Sequence, residues 1–94
     1  MNDVWRELEA GLGSVGKIRI LRVMFEKPGQ VFTKYGLERE TGLKPVDVRS
    51  DLKALIEIGW VKEHQYDPKT YEVDMENPVV KHLYEFFKRV RRVR

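Results

Sequence analysis

The chain has 94 residues, 18 Lys and Arg against 15 Asp and Glu, a net charge of +3 and no cysteine. A length in this range predicts one domain, residues 1–94, with room for a single modest core. The missing cysteines exclude disulfides, thiolate-held metals and thiol nucleophiles, and the short apolar runs exclude a helical membrane span.

A first helix is expected after Asp3, with Val4, Trp5, Leu8 and Leu12 giving it an apolar side. Gly11, Gly13 and Gly16 then read as a flexible connection, with Ser14 as the cap of the next helix. That helix, VGKIRILRVMFEKPG, should bury Ile18, Leu21, Val23, Met24 and Phe25 and expose Lys17, Arg19, Arg22 and Glu26. Pro28-Gly29 stops it. Gln30 to Phe32 reads as a short extended piece. Thr33 caps a brief helix through Thr41, anchored by Tyr35 and Leu37, and Gly42 supplies the left-handed residue that ends it.

Pro45 sits where proline favours a helix start. Val48, Leu52, Leu55 and Ile56 form the buried stripe of that helix, and Gly59 closes it. Two strand-like runs follow, Trp60–Tyr66 and Thr70–Met75, joined at Asp67-Pro68-Lys69. Asn77 and Pro78 open a last helix, 78–94, with Val80, Leu83, Tyr84 and Phe87 on one face. The fold class is therefore mainly α with a small β-hairpin. Two short helices about a tight turn, then a ribbon, make a winged helix-turn-helix core at 14–75, flanked by an N-terminal helix, 1–13, and a basic C-terminal helix, 76–94.

The run Thr41-Gly42-Leu43-Lys44-Pro45, with Val48, Leu52-Lys53-Ala54-Leu55 and Gly59-Trp60-Val61, resembles the core signature of winged-helix transcription regulators of the ArsR-like and MarR-like type. GSVGKIRIL and Phe32-Thr33 resemble small archaeal members. The resemblance implies a DNA-binding regulator, often a homodimer. By position it implies base contacts from Lys44, Val46, Asp47, Arg49, Ser50 and Lys53. Asp47 has two readings: a first-turn carboxylate that favours the helix dipole, or an acceptor for a cytosine amino group. Asp51 is expected to pair with Arg49 or Lys53, or with Lys44 across chains. Lys69 at the wing tip is the candidate for a phosphate.

The charge is unevenly placed. From residue 77 onward six cations face Glu85 alone, a net +5, which leaves −2 for residues 1–76. Lys88, Arg89, Arg91 and Arg92 therefore read as an arm for a polyanion, beyond what capping a helix end requires. The terminal helices, through Trp5, Leu8, Val80, Leu83, Tyr84 and Phe87, are expected to pair two copies. The slightly acidic body supports a competing reading, a winged-helix protein–protein module in a transcription or replication assembly.

Catalysis and metal chemistry find little support. Ser14 and Ser50 lack a triad setting, and Gly11-Leu12-Gly13-Ser14-Val15-Gly16 follows a helix, where a dinucleotide fingerprint must follow a strand. The two histidines lie 18 residues apart, with no cysteine and no second histidine at i+3 or i+4, so Glu76, His82 and Glu85, the one such cluster, are poorly supported as a metal site. No enzyme activity, cofactor or metal is expected. The N-terminus has no signal-peptide pattern, so the expected location is cytoplasmic, off the membrane.

Overall fold

In a computed structural model, residues 3–93 are described. The helices are α1 (Val4–Leu12), α2 (Val15–Glu26), α3 (Lys34–Thr41), α4 (Pro45–Glu57) and α5 (Pro78–Arg91). Strands β1 (Val61–His64) and β2 (Thr70–Val73) form an antiparallel hairpin between α4 and α5. Both strands stop short of their expected ends, and the last helix stops at Arg91. Arg94, the end of the expected span, lies outside the described residues.

Side-chain caps define four of the five helix starts. Asp3 accepts from the backbone of Trp5 and Arg6, Ser14 from Lys17, Thr33 from Gly36, and Asn77 from Val79 and Val80. Each satisfies donors that the first turn leaves unpaired. α4 starts on Pro45 with no side-chain cap. Gly42, at φ 74°, turns the chain between α3 and α4, where a Cβ would be strained.

The hairpin pairs Val61 with Val73 and Glu63 with Tyr71. Phe32 adds one rung, exchanging both backbone hydrogen bonds with Tyr71 at 2.7 and 2.8 Å. The extended piece after α2 is thus tied to the wing. The core gathers Ile20, Leu21, Met24 and Phe25 of α2, Leu37 of α3, Val48, Leu52 and Leu55 of α4, Trp60, Tyr71, Val73 and Val80.

The structure corrects several expectations. Ile18 is exposed, whereas Ile20, two residues and about 200° further round the helix, is fully buried. Tyr35 does not anchor α3. It is 66% exposed and lies beside the Arg39 guanidinium, 5.8 Å from ring centroid to cation, one turn along the helix. Gly11 and Gly16 are packing residues and not parts of a flexible connection. Gly11 lies inside α1, and a Cβ there would sit 2.1 Å from the Trp60 ring. Trp60 itself precedes β1, is fully buried, and donates its indole N–H to Glu7 at 2.6 Å. That contact fastens α1 to the winged-helix core.

Candidate nucleic-acid interface

α4 buries Val48, Leu52 and Leu55, and this one decision fixes what it shows to solvent. Lys44, Val46, Asp47, Arg49, Ser50 and Lys53 are all exposed. Among the described residues none of their side chains is held in a hydrogen bond or ion pair. Asp47 stands in the first turn, where a carboxylate stabilises the helix.

Asp51 behaves differently from expectation. It turns inward and accepts a hydrogen bond from the Ser14 hydroxyl at 3.3 Å. The same hydroxyl accepts from the Lys17 backbone, so Ser14 caps α2 and joins it to α4. Gly16 leaves room for this contact, since a Cβ there would lie 2.0 Å from an Asp51 carboxylate oxygen. The carboxylate is thereby placed at the positive end of α2 and drawn off the exposed face. Of the charges in residues 44–53, that face keeps Lys44, Arg49 and Lys53 against Asp47.

A cleft of about 240 Å³ separates α4 from the wing, lined by Arg49 and Lys53, by Glu57 and Glu63, and by Lys34 and Tyr71. A second cleft, about 470 Å³, lies on the other side of Lys34, against Tyr35, Pro68 and Lys69. Lys34 and Tyr71 border both. Burial, then the neighbouring Glu63 carboxylate, pushes the Tyr71 phenol above its ordinary range. Glu63 is held below the usual carboxylate range, first by the Gln65 amide at 2.7 Å, then by the Tyr71 hydroxyl, and also by Lys69 and Lys34. Lys34 was missed in the sequence, where it reads as one more solvated cation. Its place is set by the Phe32–Tyr71 rung, which a linear reading does not reveal.

The C-terminal arm is partly engaged. Lys88 pairs with Glu85 at 3.4 Å and lies 5.0 Å from the Tyr84 ring centroid. Arg89, Arg91 and Arg92 are exposed. Arg91 borders a third, largely apolar groove of about 430 Å³ with Leu12, Ile18, Phe86, Phe87 and Val90. The exposed face of α4 and the arm thus line different clefts.

The expected pairing surface also changes. Val80 is fully buried and Leu83 nearly so, while Tyr84 and Phe87 pack their rings on Phe25 at 5.6 and 5.1 Å. These residues complete the chain's own core, because one face of α5 closes over α2. The exposed apolar side chains of α1, α2 and α5 include Trp5, at 71% exposure, with Phe86, Val90 and Ile18.

Among the described residues no three His, Cys, Asp or Glu side chains gather as a metal site, and no helix is long and apolar enough to cross a membrane. His64 is paired to Glu72 across the hairpin at 2.7 Å.

The fold so defined is a winged helix, and it has a counterpart among solved structures. An ArsR family transcriptional regulator superposes with a TM-score of 0.64 at 13% identity, covering 100% of this chain and 99% of that one. No protein-family model matches the sequence, and no curated protein matches it. At this identity the likeness establishes the fold: five helices and a two-stranded wing in the arrangement of an ArsR-type winged helix.

Proposed function

We propose that this chain is a DNA-binding transcription regulator that works as a homodimer. α4 enters the major groove, the hairpin meets the backbone, and the arm at Lys88, Arg89, Arg91 and Arg92 adds affinity without sequence preference. The observation that carries this reading is the unoccupied face of α4. Lys44, Val46, Asp47, Arg49, Ser50 and Lys53 are exposed together, while Asp51 is withdrawn to the start of α2. The likeness to an ArsR family transcriptional regulator agrees with it.

For the dimer, support comes from the apolar residues outside the core. Trp5 and Phe86 are large, exposed and on terminal helices, and the groove beside Phe86 is rimmed by Arg22 and Arg91. Glu9, one turn after Trp5 on α1, offers the opposite charge. A second copy that inserts Trp5 would bring the acid to those arginines.

Arg49→Ala tests the base-reading assignment. It should reduce the preference for a selected duplex while leaving binding to random duplex nearly intact, as measured by competition titration. Equal weakening on both duplexes would demote Arg49 to a backbone contact.

A protein–protein role remains the second reading, favoured by the acids beside α4. Glu57 and Glu63 line the cleft with Arg49 and Lys53, and residues 1–76 carry a net −2. A folded chain that binds no duplex at low salt would select this reading.

A further inference from the structure

We propose that the cleft between α4 and the wing is a seat for a small zwitterion, an apolar α-amino acid, whose carboxylate takes Arg49 away from DNA. Its effect on duplex binding rests on the DNA-binding reading, and its occupancy does not.

The first observation is charge of both signs in one cleft. Arg49 and Lys53 line it with Glu57 and Glu63, and Lys34 adds a third cation. Among the described residues none of these five is joined to another by an ion pair or a hydrogen bond. Sequence order explains part of this, since Lys53 precedes Glu57 by one turn, the weaker orientation for such a pair. A bare anion in the cleft meets two carboxylates, and a bare cation meets three cationic side chains. A molecule that carries an ammonium and a carboxylate satisfies both sets.

The second observation is the order of the charges. Arg49, Lys53 and Glu57 follow at four-residue steps down one side of α4, each about 6 Å further along the axis. Glu63 stands on β1, the other wall. The Gln65 amide and then the Tyr71 hydroxyl hold its carboxyl below the usual range, so it is charged at neutral pH. The Arg49 guanidinium presents a fork that matches a carboxylate, and the two acids take the ammonium.

The third is size and lining. The cleft holds about 240 Å³. Sites for drug-sized ligands run from about 300 to 1,000 Å³, so this one suits a smaller molecule. Leu52 and Ile56 of α4 and the Tyr71 ring supply apolar surface between the charges. Lys34 roofs that ring, its ammonium 5.9 Å from the centroid. The side chain of the ligand is therefore apolar, with its charge confined to the two ends.

The test titrates the full chain with the apolar L-amino acids from alanine to phenylalanine, read from the amide shifts of Lys53, Glu57 and Tyr71. Each is run beside the acid that lacks its amine and the amine that lacks its carboxylate. At least one amino acid should saturate the shifts with a Kd of about 1 mM or below. Both of its single-charge analogues should bind about tenfold more weakly. Glu63→Gln should lose about tenfold toward that amino acid, while its affinity for the deaminated acid holds. At saturation the amino acid should weaken binding to a duplex selected by the chain from a randomised pool by about tenfold. If no amino acid saturates, or the deaminated acid binds as tightly, the seat is overturned, while a selective defect in Arg49→Ala would still uphold the DNA reading. If the amino acid binds and duplex affinity is unchanged, the competition for Arg49 is overturned. If the folded chain binds the amino acid and no duplex, the underlying DNA reading fails instead. A thermal melt shows whether Glu63→Gln folds, and Glu57→Gln takes its place if it does not.

Discussion

Two glycines on neighbouring helices make different demands on their surroundings. At Gly11 an added Cβ meets the Trp60 ring at 2.1 Å, and a fully buried indole has nowhere to go. Gly11→Ala should therefore lower stability by about 1–3 kcal/mol, as overpacking does, read from the urea midpoint with Trp fluorescence as probe. At Gly16 the obstacle is the end of the Asp51 side chain, which can rotate away. Gly16→Ala should cost less stability, yet it returns a carboxylate to the face of α4. The expected outcome is a folded protein with weaker duplex binding, checked by titration at one salt concentration. A Gly16→Ala protein with wild-type affinity would argue that Asp51 has no bearing on that face.

At the scale of elements, α5 does two jobs with two stretches. Val80, Leu83 and Phe87 bind it to the body, and the residues from Lys88 onward carry the charge. Removing residues 88–94 should leave the fold intact and weaken binding to every duplex. The salt dependence should flatten by about 0.9 for each phosphate that the shortened chain no longer neutralises. An unchanged salt slope would remove the arm from the interface. Caps and stripes explain why the elements themselves were legible in the sequence. Asp3, Ser14, Thr33 and Asn77 mark starts, and Gly42 marks a stop, through local hydrogen bonds and backbone sterics. The inward turn of Asp51, the roofing of Tyr71 by Lys34 and the docking of Trp60 on Gly11 were not legible. Each joins residues far apart in the chain, and no local rule places them. The same limit misassigned Tyr35 and Ile18, whose apolar character says nothing about which side of a short helix the core lies on.

For the whole molecule, the distribution of charge and of apolar surface decides the function. The body is slightly acidic, yet the exposed face of α4 is basic because one of its acids is spent on the start of α2. Part of the exposed apolar surface lies on α1, α2 and α5, at Trp5, Ile18, Phe86 and Val90. Phe86→Glu should yield a folded monomer, seen as halved mass in sedimentation equilibrium. It should also weaken binding to a two-fold symmetric site more than to a half-site. A wild-type chain that sediments as a monomer at all concentrations would rule the dimer out.

Competition binding on two duplexes shows whether α4 reads DNA. One duplex is selected by the chain from a randomised pool and the other is of random sequence, both titrated from low to moderate salt. Binding should be tighter to the selected duplex. Arg49→Ala should remove about 1–3 kcal/mol of that preference while random-duplex affinity holds. A folded chain that binds neither duplex at low salt would contradict it.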